Sequence, residues 1–264
     1  MGAFRPGTAL SVSGTWEMVT TATAQPLLED GLRAAGMTVQ AHVVPDCHAL
    51  WGGNVAGEMV EWFRRCWAGD GAEPTAPAWS WDTLMPEAAA SPPGARGVLF
   101  LPHMCGAACP IVDAQSLGTF AGLHPRVNRG DLLRAVIEGL NYLFRDILQA
   151  MERGLGRPLE RVVVAGGATR NPFWMQNKAD VAGRPLEVSE LEEATPLGAA
   201  LLAGIGVGLY QDAQDAYDHL DHRRTVFHPD PARAAQYARW FPLYQQLYPA
   251  TRQLHHQLSQ EFTT

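Results

Sequence analysis

Apolar residues recur at helical spacing most clearly over Asp131–Arg153, where Leu133, Val136, Ile137, Leu140, Phe144 and Ile147 form one broad stripe. The spacing predicts a long helix, stopped by Gly154 and Gly156. Arg161–Ala165 is an apolar, β-branched run without polar alternation, the pattern of a strand buried on both faces. It ends in Gly166-Gly167, and a helix is expected from about Asn171 to Val181. Pro185–Val188 reads as another short strand, and Thr195-Pro196 open a helix running to Gly208. Upstream, β-branched residues flank a Gly-Thr turn over Thr8–Thr20, which predicts a hairpin or two strands, and Val98–Leu101 is a short strand ended by Pro102. The tail, Ala232–Gln260, is amphipathic, with Tyr237, Phe241, Tyr244, Leu247, Tyr248 and Leu254 on an apolar side whose expected role is core packing. Helices alternating with strands indicate a three-layer α/β domain.

Composition narrows this picture. The 264 residues are 47% apolar and 18% charged, enough for one large or two small globular domains, and no internal repeat is visible. Residues 69–97 are rich in Pro and Gly and read as a surface excursion carrying a short helix at Trp81–Ala90. Ala194–Tyr210 is short and glycine-rich for a membrane span and reads as a buried helix. The start shows neither a basic region nor an apolar one, so no signal peptide is expected. Four scattered cysteines make no disulfide framework, which points to a reducing cytoplasm. His103, Cys105 and Cys109 look like half a zinc site, but no second cluster completes it. A net charge of −7 excludes a nucleic-acid footprint. Among 20 basic residues Lys178 is the single lysine, so neither a Walker A lysine nor a protein-kinase Val-Ala-Ile-Lys is present.

Three turns put glycine where backbone could approach a phosphate or a base. Gly14-Thr15 lies between β-prone runs, with amides and a hydroxyl near a would-be phosphate. Gly57 stands just ahead of Trp62-Phe63. Gly166-Gly167-Ala168 follows a buried strand and precedes a helix, where amides and a positive dipole end meet at the C-terminal edge of a sheet. Each turn alone has a plain structural reading as well. Asn171 also fits helix N-capping, and Gly-Ile-Gly-Val-Gly (204–208) ends a helix and so fails as a dinucleotide motif, its glycines serving close packing.

In order, the pieces Pro-Gly-Thr-Ala-Leu-Ser-Val-Ser-Gly-Thr-Trp-Glu (6–17), Ala-Gly-Glu-Met-Val-Glu-Trp-Phe-Arg (56–64) and Phe-Leu-Pro-His-Met (100–104) resemble the C-terminal domain of the FGGY family of carbohydrate kinases. So do Gly-Thr-Phe-Ala-Gly-Leu (118–123), the helix at 132–140, Val-Ala-Gly-Gly-Ala-Thr-Arg-Asn-Pro-Phe-Trp (164–174) and Glu-Ala-Thr-Pro-Leu-Gly-Ala-Ala (193–200). The resemblance covers nearly the whole chain. It implies an actin-like (ribonuclease H-like) α/β/α fold with a helical tail, and transfer of the γ-phosphoryl of Mg-ATP to a sugar hydroxyl in the cytoplasm. Carried over by position, Gly14 and Thr15 would meet the β- and γ-phosphates, and Gly57 and Glu61 would line the adenosine pocket. Gly167, Ala168 and Asn171 would pack on adenine and ribose. Ser-Gly-Thr-Trp-Glu is most like L-fuculokinases, whereas the spacing also fits xylulokinases.

Two departures accompany the resemblance. Cys105–Pro110 differs from the family's usual Gly-Glu-Arg-x-Pro or Gly-Ser-Gly-x-Pro, and Glu61 stands where some relatives have Gln. The family's sugar-binding N-terminal domain, and the aspartate that accepts the sugar proton, are expected to lie outside this sequence, upstream of Met1. The chain is therefore expected to bind ATP and ADP, to meet sugar only with that other half, and to contact neither nucleic acid nor membrane. A non-catalytic nucleotide-binding domain and one subunit of a split kinase remain alternatives. An apolar patch near Pro102–Pro110 and the Gly57 helix is expected to favour self-association.

Overall fold

The β-branched runs either side of Gly14-Thr15 form strands β1 (Thr8–Ser13) and β2 (Trp16–Thr23), antiparallel with Ser13 opposite Glu17. This computed structural model describes residues 2–68, 80–191, 194–220 and 223–262. Further strands are β3 (Thr38–Ala41), β4 (His48–Val55), β5 (Leu99–Leu101), β6 (Thr119–Ala121), β7 (Arg161–Ala165), β8 (Leu186–Ser189) and β9 (Arg224–Phe227). Seven of them make one mixed sheet in the order β3-β4-β2-β1-β7-β8-β9, and β5 pairs with β6 apart from it. β1 runs parallel to β7, and β7 to β8, so the turns that leave β1 and β7 share one edge of the sheet. Parallel neighbours need long crossovers, which the helices supply.

The helices are α1 (Asp30–Ala34), α2 (Gly57–Ala68), α3 (Trp81–Ala90), α4 (Arg129–Leu155), α5 (Pro172–Ala182), α6 (Ala194–Gly206), α7 (Ala213–Asp218) and α8 (Pro231–Phe262). The long periodic stripe becomes α4, the centre of the core, and its start is a capping box between Asn128 and Asp131. It ends at Gly156, in the left-handed conformation that glycine adopts without strain. Gly154 does not stop the helix. It leaves room for the Leu32 side chain, which a Cβ there would strike.

Three expectations need correction. The described part of the 69–97 excursion, from Ser80, is not a surface feature: Leu84 and Ala88 of α3 are fully buried against α4, and Arg129 pairs with Glu87 across that contact. Residues 69–79 lie outside the described residues. On α8, Tyr237, Phe241 and Tyr244 are buried around Tyr142, but Leu254 is exposed. Helix α6 is not buried: Leu202 is 40% exposed, with Val207 82% and Leu209 69% exposed just beyond it. Of its glycines only Gly204 is packed, against Tyr210; Gly198, Gly206 and Gly208 face open space. Leu202, Val207 and Leu209 are thus among the exposed large apolar side chains, while Pro102–Pro110, where a patch was expected, is largely buried. No helix among the described residues is long and apolar enough to cross a membrane.

Two histidines packed between α8 and the 102–119 segment make stability depend on acid. His103, 2% exposed, meets Ser116 Oγ at 2.7 Å, while His255 accepts from the Leu117 N–H and meets Thr119 Oγ1 at 2.8 Å. Burial, reinforced by His255, holds His103 down to about 4 although Asp113 pulls the other way. Burial lowers His255 as well. An unfolded histidine titrates near 6.5, so on acidification the unfolded chain takes up protons first. The contribution is complete above about pH 6.5 and is lost as pH falls toward 4, about 3 kcal/mol for His103 alone. Urea unfolding at pH 7 and pH 4.5 should register this loss, and the pH slope should flatten in His103→Asn. An unchanged slope in that variant would contradict the assignment.

Candidate functional site

The three glycine turns meet at one edge of the sheet. The Gly57 N–H donates to Gly14 O at 3.0 Å and the Ala56 N–H to Thr15 O at 2.9 Å, joining the start of α2 to the β1–β2 turn. A Cβ on Gly57 would lie 2.5 Å from Gly14 O, and one on Gly166 2.6 Å from Ser13 O, so both glycines are needed for close backbone approach. Gly166 also has φ of 103°, which side chains disfavour.

Gly14 and Gly167 differ from that pair. Neither has a positive φ, and a Cβ on either would meet nothing within 4 Å. Packing requires glycine at neither place, and both face a cleft of about 910 Å³. Gly14, Thr15, Gly57, Glu61, Gly167, Ala168 and Asn171 all line this cleft, so the seven residues singled out in the sequence converge. Such a volume suits a nucleotide-sized ligand.

Local chemistry assigns the walls. Gly167–Arg170 forms a single 3₁₀ turn after β7, whose first amides have no partner within the turn. Asn171 caps α5, its side chain accepting from the Trp174 N–H at 3.1 Å, so the capping role holds and only its amide nitrogen is left for a ligand. Gly14 gives space instead of a donor: its N–H is engaged by Trp16 O at 2.9 Å. Thr15 is exposed at the cleft. Glu61 is turned toward Arg64, in an ion pair on α2, and Glu58 pairs with Arg65 at 2.6 Å.

The apolar lining was not foreseen. Trp81, Met85 and Pro86 of α3, Val60 of α2 and Trp174 of α5 add apolar and aromatic surface to the cleft, suited to a flat base. Trp81 and Met85 are one helical turn apart, a signal present in the sequence but set inside a segment read as an excursion. Trp174 is fixed by its indole N–H, which donates to Asn141 Oδ1 at 3.1 Å. The cleft thus offers backbone amides and a hydroxyl together with aromatic faces.

The donor set fits a nucleotide; a resident metal has less to hold it. Among the described residues no group of three His, Cys, Asp or Glu side chains converges to bind a cation. Of the half-zinc pattern, Cys109 is buried near Gly52, Cys105 is exposed and His103 is engaged by Ser116. Mg²⁺ commonly binds through substrate phosphates and water with few protein ligands.

Residues 9–207 match the model of the FGGY family of carbohydrate kinases, C-terminal domain. A xylulose kinase of Staphylococcus epidermidis is 29% identical over 214 residues, covering 81% of this chain and 41% of that protein. A glycerol kinase of Limosilactobacillus reuteri is 33% identical over 235 residues, covering 86% of this chain and 44% of that protein. The crystal structure of xylulose kinase from Rhodospirillum rubrum superposes with a TM-score of 0.80 at 29% identity, covering 97% of this chain and 49% of that one. The chain thus spans less than half the length of these curated relatives, and it has the actin-like α/β fold of such kinases. By its sequence, its fold and the cleft its glycine turns enclose, this chain belongs to the FGGY family of carbohydrate kinases, whose C-terminal domain it comprises.

Proposed function

We propose that this chain is the nucleotide-binding half of an ATP-dependent sugar kinase of the cytoplasm, acting on a ketose, pentose or deoxy-sugar such as L-fuculose or xylulose. The observation that carries it is the pair Gly14 and Gly167, two glycines unneeded by the fold and facing the same cleft. In this reading the Thr15 hydroxyl faces the phosphates, and the Gly167 and Ala168 amides, which the resemblance would put on adenine and ribose, are assigned to the phosphates instead because they have no partner within their own turn, while Trp81, Met85 and Trp174 flank the base. Mg²⁺, arriving with the nucleotide, would neutralise phosphate charge there. The chain's own residues hold and orient; the proton-accepting base and the sugar pocket are assigned to a second half. That half would rest on the uncharged α6 surface, where Leu202, Val207 and Leu209 stand exposed.

Mg-ADP is expected to bind more weakly than micromolar. The opposing contacts belong to the second half, and each charge-assisted hydrogen bond absent costs roughly 1.5–3 kcal/mol. Calorimetry, with quenching of Trp81 and Trp174 fluorescence as a second readout, checks this. No heat and no quenching at millimolar Mg-ADP would overturn it.

A further inference from the structure

The chain's single lysine lies beneath the cleft, where no charge is expected. Lys178 of α5 is 1% exposed, and its ammonium sits 4.1 Å from the centroid of the Phe144 ring. It donates to Ser13 Oγ and to Glu17 Oε2, each at 2.6 Å. Glu17, 4% exposed, also accepts from Ser13 at 2.8 Å and from Ser11. Strand periodicity puts Ser11 and Ser13 on one face of β1, and antiparallel register sets Glu17 directly across from Ser13. Ser13 immediately precedes Gly14, and Glu17 follows Thr15 by two residues. Lys178 therefore holds both stems of the Gly14-Thr15 turn. The helix it belongs to carries, at its other end, Asn171 and Trp174 of the cleft and the adjoining Gly167–Arg170 turn.

Stability alone is a poor reason for this arrangement. Taking an ammonium and a carboxylate out of water costs several kcal/mol per ion, and buried pairs are often replaced by apolar residues without loss. What such a network supplies is one defined geometry. Lysine also suits the place: a compact point charge with three donors reaches the Ser13 hydroxyl and the Glu17 carboxylate at once from a fully buried position.

We propose that Lys178 is the positioning residue of the nucleotide cleft: by gripping both stems of the Gly14-Thr15 turn from α5, it sets the distance between the two phosphate-facing turns. The assignment deepens the nucleotide-binding reading and rests on it. The test uses the full chain and Mg-ADP, with Lys178→Met, the double variant Lys178→Met/Glu17→Gln, and Ser13→Ala. Lys178→Met leaves a buried carboxylate unpaired and should lower both Tm and affinity. In the double variant no charge is stranded and Gln keeps hydrogen bonds to the two serines. Its Tm should return to within a few degrees of wild type, while ADP affinity stays down about tenfold. Ser13→Ala should retain nearly the wild-type Tm and lose affinity several-fold. Exchange of the Gly14 amide, which the turn holds against Trp16 O, is read without nucleotide and should be about tenfold faster in the double variant. Affinity and exchange that recover together with Tm would make Lys178 merely structural and overturn the proposal, as would wild-type affinity in Ser13→Ala. A wild-type chain that binds no ADP would instead overturn the nucleotide reading, with amide exchange still deciding the role of Lys178.

Discussion

Purified as it stands, the chain is expected to transfer no measurable phosphoryl group from ATP to L-fuculose, D-xylulose or L-ribulose. In the proposed reading its cleft positions phosphate and base; of the carboxylates around it Glu58 and Glu61 are held in ion pairs with Arg65 and Arg64, Asp82 stands exposed in the first turn of α3, and Glu17 is committed beneath it to Lys178. A general base contributes on the order of 10²–10⁴ in rate. Holding the sugar hydroxyl beside the γ-phosphate contributes more, roughly 7–11 kcal/mol in favourable cases. Both are assigned to the second half, so the loss is far larger than for any single substitution. A coupled assay of ADP release in the presence of each sugar checks it, repeated after adding a polypeptide that carries the N-terminal half of such a kinase. Recombination is expected to restore turnover and to cover Leu202, Val207 and Leu209, read as reduced binding of an apolar dye. Turnover by the chain alone would sink the division of labour proposed here.

Substitutions at the three cleft glycines and at the adjoining Gly166 are expected to divide into two classes of opposite sign. Gly167→Ala and Gly14→Ala place a methyl in open space on unstrained backbone. By restricting the unfolded chain such changes stabilise by about 0.4–1 kcal/mol. The methyl nevertheless enters the volume assigned to nucleotide, so ADP affinity should fall roughly tenfold, and about a hundredfold for Gly167→Val. Gly57→Ala and Gly166→Ala instead drive a Cβ into the carbonyls of Gly14 and Ser13. Overpacking of this kind costs about 1–3 kcal/mol, and Gly166 adds the strain of its positive φ. Thermal unfolding and ADP titration of the four alanine variants, measured in parallel, separate the classes. Affinity unchanged in Gly14→Ala and Gly167→Ala would remove the main support for a nucleotide in this cleft.

Much of the architecture was legible locally, because it depends on short-range periodicity and turn chemistry. The stripe of α4, the buried run of β7, the hairpin of β1 and β2 and the capping signal at Asn171-Pro172 each express a preference of neighbouring residues. The ordered motifs then indicated the family and, with it, the seven cleft residues. Strand β4 escaped notice because Gly52 and Gly53 weaken its strand pattern, yet both glycines are required: Gly52 admits the Cys109 sulfur and Gly53 the Met18 side chain. Helix α3 has the bounds its sequence predicts, Trp81–Ala90, but its proline-rich flanks suggest a place on the surface, whereas its contact with α4 buries Leu84 and turns Trp81 and Met85 into a wall of the cleft. Helix α6 erred the other way. Apolar composition states what a helix would bury, not whether a neighbour is there to bury it against. The pairing of Lys178 with Glu17, 161 residues apart, had no signal in the sequence at all. Local pattern determined which segments become helix or strand and where the backbone turns. Only tertiary packing decided which glycines touch backbone and which face the cleft, and which carboxylates remain free, because those depend on residues far apart in the chain arriving within a few ångströms of one another.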